Sequence, residues 1–118
     1  MYPFSEIIQV PGHVIHHSPA KVNHKTKRVF VNADLWAKLN DDTQRFILYH
    51  EAGHIVLNTR DEHSADAYAF QRMVAEGRSL KACVYGLTKL LTNSVGHRKR
   101  AYLILQMAKA KDLITNKN

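Results

Sequence analysis

The sequence predicts a small α+β fold, and three observations carry that reading. Proline is confined to the first twenty residues, where Pro3, Pro11, Gly12 and Pro19 favour short extended segments. The run KRVFVN, Lys27 to Asn32, is β-branched and aromatic, with Val29 and Val31 on one face and Phe30 on the other. From Asp34 onward the apolar positions recur at helical spacing. Two or three strands, forming an antiparallel or mixed sheet, should therefore precede a helical bundle.

Taken in order, EIIQV (Glu6 to Val10) and HVIHH (His13 to His17) are expected as strands either side of a Pro11-Gly12 bend, with KRVFVN as the third. ADLWAKL is a short helix. The long helix DDTQRFILYHEAGHIVL follows, with Asn40 or Asp41 as its cap and acids in its first turn, where the helix dipole favours them. The triplet NTR breaks that helix, and Thr59 stands three residues before Glu62 in capping-box spacing. The next helix runs to about Glu76 and stops at Gly77. Ser79 is placed to cap a helix over LKACVYGLTKLL, and a last helix is expected over Arg98 to Leu113.

With 118 residues the chain is expected to form one domain, residues 1–118. A hydrophobic content of 45% with 23% charged residues is that of an ordinary globular protein. Its first residues lack the basic and apolar regions of a signal peptide. Apolar runs such as Tyr102 to Leu105 fall far short of the roughly 20 residues a membrane helix needs. Cys83, the single cysteine, excludes an internal disulfide and is expected in the core. A soluble, cytoplasmic protein with no membrane partner is the expectation.

The net charge of +7 is uneven: residues 34–76 hold eight Asp/Glu against four Lys/Arg, so the flanks carry the excess of cations. Such flanks can serve a nucleic-acid partner. No aromatic residues interleave with the basic ones as stacking platforms, so solvated surface is the preferred reading.

The chemistry concentrates in YHEAGHIVLNTRDEHSADAYA, Tyr49 to Ala69. Residues four apart on a helix share a face, so His50 and His54 present their rings side by side and can chelate one Zn²⁺. Glu51 is turned away from that pair but near enough to take a proton from a water that zinc acidifies. A catalytic zinc wants a third protein ligand and one open position. Once the chain reverses at NTR, Glu62 and Asp66 both become candidates, and mirror symmetry about the turn slightly favours Asp66. Burying two imidazoles and a carboxylate is costly without partners, although hydrogen-bonded core histidines would also satisfy the pattern. His13, His16, His17 and His24 could in principle make a second metal site, but their irregular spacing favours scattered surface histidines, and His63 is also expected to be exposed.

HEAGH followed by EHSADAYA resembles the zincin metallopeptidases of gluzincin type, whose second motif is Glu-x-x-Ala-Asp. The likeness covers Val29 to Ala69 and implies a zincin-like minidomain. It implies that His50, His54 and Glu62 ligate zinc, that Glu51 is the general base, and that Asp66 orients a ligating histidine. Ala65 and Ala69 would let the helices pack closely, and KRVFVN would be the sheet edge above the cleft that receives a peptide substrate as an extra strand. The interval between His54 and Glu62 is shorter than in membrane-bound relatives, which keeps Asp66 open as third ligand. The compact form is similar to soluble zincins of phage and mobile elements, implying host cytoplasm or virion.

An oxyanion stabiliser is sought among His97, Arg98, Tyr68 and Tyr85, with His97, at the start of the last helix, preferred. Three functions follow from these residues: a zinc metallopeptidase acting on protein or peptide, a catalytically silent zinc-binding structural or virion-associated domain, and a nucleic-acid-binding protein using its basic flanks. Glu51 argues for the first, because a purely structural site needs no base.

Overall fold

The structure, a computed structural model, describes residues 2–16 and 18–90 together with Tyr102 and Gln106. It is α+β: a three-stranded mixed sheet followed by helices. The strands are β1 (Glu6–Val10), β2 (Ala20–Asn23) and β3 (Arg28–Asn32), and the helices α1 (Ala33–Trp36), α2 (Asp41–Val56), α3 (Glu62–Ala75) and α4 (Leu80–Leu90). Of the helix expected over Arg98 to Leu113 only Tyr102 and Gln106 are described, and both are helical; His97 and Arg98 lie outside the described residues.

The sheet order is β1-β3-β2, with β1 parallel and β2 antiparallel to β3. The expected strand pattern needs two corrections. Gly12–Ile15, inside the segment HVIHH, forms a 3-10 turn that ends at His16 in the left-handed region, φ 55°. The chain must cross from one edge of the sheet to the other here, and an extended run could not make the turn. Gly12 lies so close to the Asn32 side chain that a Cβ would meet its amide atoms at 2.9 Å. The strand that lies beyond the turn is Ala20–Asn23, which has little strand character of its own and forms by pairing Ala20 to Val31 and Val22 to Val29.

Two apolar clusters lie on opposite sides of α2. Toward the sheet, Ile47 and Leu48 pack with Val29, Val31, Ala20, Trp36 and Leu39. Toward α3 and α4, Phe46 and Tyr49 pack with Ala69, Phe70, Met73, Ala82 and Cys83. A helix flanked on both sides is covered around most of its circumference, and α2 is buried at every residue from Phe46 to His54. Val29 and Val31 share the buried face as their alternation predicts, leaving Phe30 partly exposed.

The ends of the helices are held by specific side chains. Asn40 caps α2 by accepting from the Thr43 amide at 2.8 Å. Arg78, just past α3, reaches Asp41 and Asp42 at the start of α2 and Glu76 on its own side. Gly77 takes the left-handed conformation, φ 67°, that ends α3. Ser79 Oγ accepts from the Ala82 amide at the start of α4.

Candidate metal centre

The site forms where α2 and α3 run side by side. His50, Glu51 and His54 lie in the second half of α2 and are all buried. Between the helices the chain reverses through Asn58 in the left-handed region, φ 48°. The Thr59 carbonyl oxygen stands 2.9 Å from His54 Nδ1, and Thr59 Oγ1 accepts from the Asp61 amide at 3.0 Å. Asp61 rather than Thr59 caps α3, accepting from the Ser64 amide and hydroxyl at 3.0 and 2.6 Å. Thr59 is thus occupied in tying the loop to His54. A carboxylate at the cap also answers the helix dipole more strongly than a hydroxyl.

This reversal brings the first turn of α3 against the histidines. Glu62 Oε1 lies 2.7 Å from His54 Nε2 and 3.7 Å from His50 Nε2, and the two Nε2 atoms are 3.3 Å apart. One turn further along α3, Asp66 Oδ1 lies 2.8 Å from the other nitrogen of His50, Nδ1. That contact is short but not well aligned as a hydrogen bond. His50 and Asp66 are almost wholly buried, whereas the Glu62 side chain is 45% exposed. Glu62 and Asp66 therefore take different places: one beside both Nε2 atoms, the other behind one ring.

The donor set suits a metal ion. His50, His54 and Glu62 offer ligand atoms all within 4.8 Å of one another. Donors about 2.0–2.1 Å from one tetrahedral zinc stand about 3.4 Å apart. The three separations, 2.7, 3.3 and 3.7 Å, bracket that spacing. Burial resists charging His50, but the Asp66 and Glu62 carboxylates outweigh it and hold the imidazole up at about 9. Glu62 likewise raises His54, against its burial and with help from the Thr59 carbonyl. Anionic oxygens that draw a proton onto these nitrogens also draw a cation between them.

Close approach of the helices depends on Gly53. A Cβ there would meet Ala65 Cα at 3.1 Å and Tyr68 Cβ and Cδ1 at 3.2 Å. Ala65 and Ala69 are fully buried, so small residues stand where the helix axes come nearest. This use of Tyr68 is structural, and Tyr85 is about half exposed.

A cleft of about 350 Å³ opens over the site, lined by Lys21, Val22, His24, Glu51, His54, Arg60 and Glu62. Glu51 is thus in the same cleft as His54 and Glu62. The strand at this edge is β2, whereas KRVFVN, expected at the sheet edge, occupies the centre of the sheet as β3 with partners on both sides. His24, expected as a scattered surface histidine, lies with its ring centroid 6.3 Å from that of His54. Lys21, His24 and Arg60 carry no spacing relation to the HEAGH motif, so sequence reasoning had no signal for them. His63 is exposed, as expected.

Two imidazoles one turn apart and a carboxylate at their Nε2 atoms from the following helix could hold a metal ion, and Glu51 lines the cleft beside them. The chain belongs to peptidase family M48, a family of zincin-type, zinc-dependent metallopeptidases: the family's model matches residues 17–115, well over half of the 118. No curated protein and no solved structure matches the chain. No helix among the described residues is long and apolar enough to cross a membrane.

Proposed function

We propose that this chain is a zinc-dependent peptidase in which His50, His54 and Glu62 ligate the metal, Glu51 is the general base and Asp66 positions His50. The observation that carries the reading is the convergence of three ligand atoms from two helices, with Glu51 lining the same cleft. Zinc, when bound, supplies a Lewis acid that acidifies a water and polarises a substrate carbonyl. Glu51 takes the proton from that water as its oxygen adds to the carbonyl carbon, and returns it to the amine as the C–N bond breaks. Asp66, at His50 Nδ1, holds the ring so that Nε2 faces His54 Nε2 and Glu62, and the Thr59 carbonyl at His54 Nδ1 does the same for that ring.

The substrate adds along the outer edge of β2, which has β3 on its other side and borders the cleft through Lys21 and Val22. Elemental analysis of wild type, His54→Ala and Glu51→Gln, with peptide cleavage measured on each, tests the assignment. About one zinc per chain is expected in wild type and Glu51→Gln, little in His54→Ala, and a turnover about 10²–10⁴ lower in Glu51→Gln. Wild type that takes up no zinc when it is offered would sink the assignment. Undiminished cleavage by Glu51→Gln would remove that residue from the chemistry.

A further inference from the structure

A second pocket, of about 210 Å³, adjoins the metal cleft and shares His24 and Arg60 with it, Asn58 and Thr59 completing its lining. Every lining residue carries a polar group on its side chain. The pocket's charge is one-sided. Arg60 and Lys21 form no ion pair with any other described residue. The acids nearby are engaged elsewhere: Asp61 is turned to cap α3, and Asp66 is buried behind His50. A zinc ion's two positive charges match those of Glu51 and Glu62, so among the side chains lining the cleft the remaining formal charges are those of Lys21 and Arg60, with Asp61 and Asp66 directed away from it.

Arg60 is also held in position. Its neighbours on both sides are tied down, Thr59 by its carbonyl at His54 and Asp61 by the α3 cap. One peptide unit, about 3.8 Å between Cα atoms, separates Arg60 from the residue that touches a metal-site histidine. A substrate lying along β2 would place a side chain next to the scissile bond within reach of this pocket.

We propose that the pocket formed by His24, Asn58, Thr59 and Arg60 is a subsite for an acidic substrate side chain, with Arg60 the specificity-determining residue and Lys21 adding to the field. The proposal rests on the peptidase reading and names its substrate class: peptides with Glu or Asp close to the cleaved bond. The guanidinium donates to the carboxylate, while the Asn58 and Thr59 side chains offer further polar contacts.

The test measures binding separately from cleavage. Short fluorescent peptides identical except for Glu, Gln or Lys at one position, that position being moved along the series, are titrated with zinc-loaded protein and followed by anisotropy. The proteins are wild type, Arg60→Gln and Arg28→Gln, the last removing a cation that pairs with Glu6 outside the cleft. An exposed pair of this kind corresponds to a preference of up to about fivefold for Glu over Gln at low salt, diminishing as salt is added. Arg60→Gln should bring that ratio close to one and Arg28→Gln should leave it intact.

Equal binding of the Glu and Gln peptides at every position, or a preference that survives Arg60→Gln, would overturn the subsite. So would tighter, Arg60-dependent binding of a short oligothymidylate, which would make the pocket a phosphate site. Arg60-dependent preference without cleavage of any peptide would keep the subsite and defeat the peptidase reading. Cleavage indifferent to acidic residues, with equal binding, would do the reverse.

Discussion

Adding one methyl group at Gly53 should loosen the metal site without touching a ligand. Gly53→Ala places a Cβ 3.1 Å from Ala65 Cα and 3.2 Å from two Tyr68 carbons. Carbon atoms pack at about 3.5–4.0 Å, so α3 must retreat from α2 by about 0.4 Å or more. The nearest obstacle is backbone and cannot rotate away. Overpacking of this kind costs about 1–3 kcal/mol. The alanine returns about 1 kcal/mol of helix propensity at an interior position, so the net loss is up to about 2 kcal/mol. Glu62 is one turn before Ala65 on α3 and moves with it, while His50 and His54 stay on α2. Metal–ligand distances tolerate only about 0.2 Å, so zinc affinity falls as well. Urea unfolding of the metal-free protein reads the first effect, and competition for zinc against a chelating dye reads the second. A Gly53→Ala protein that is more stable by about 1 kcal/mol, with unchanged zinc affinity, would show that helix propensity outweighs packing here and that the helix spacing is not critical.

Asp66→Asn keeps the size of the side chain but removes the charge beside His50 Nδ1. Zinc affinity is expected to fall about 10–100-fold with the fold retained, and an unchanged affinity would deny Asp66 its positioning role. The folded-state value of His50, about 9, lies above its ordinary 6.5. Stability from its protonated form is therefore fully present below pH 6.5 and is lost as pH rises through about 9. Zinc needs the unprotonated nitrogen, so its binding should strengthen over the same interval and release protons at neutral pH. Melts of chelated and zinc-loaded protein across that range read both trends, and a chelated protein that gains stability toward pH 9 contradicts the His50 assignment. Burial pushes the Cys83 thiol up to about 12. Alkylating reagents should thus label it only as the chain unfolds, and rapid labelling of native protein would mean that α4 is not packed against α2 and α3 there.

Much of the helical architecture is legible in the sequence because its determinants are local. Asn40 ahead of two acids caps α2, and Gly77 ends α3 in the left-handed conformation that glycine adopts without strain. Val29 and Val31 alternate with Phe30 as the pleat requires. The local reading fails where a neighbour decides. HVIHH has the apolar content of a strand yet turns, because the chain must cross the sheet beside Asn32. Ala20–Asn23 has little strand character yet becomes one, because β3 offers it a ladder. Thr59 has capping-box spacing, but its hydroxyl and carbonyl serve the loop and His54 while Asp61 caps the helix.

The same division runs through the metal centre. The amino-acid sequence alone determined that His50 and His54 share a helix face with Glu51 beside them, because 3.6 residues per turn leaves no other outcome once α2 forms. It also supplied two acids after the break, for which turn symmetry slightly favoured Asp66 and the family resemblance Glu62; helix spacing alone says nothing of how two helices meet. The tertiary structure decided that Glu62 stands at both Nε2 atoms and Asp66 at His50 Nδ1. It alone placed Lys21, His24 and Arg60 around the cleft, since they come from a strand, a hairpin turn and an interhelical loop that only chain reversal brings together. Spacing along one helix is a property of the backbone; convergence of several elements on one point depends on the packing between them.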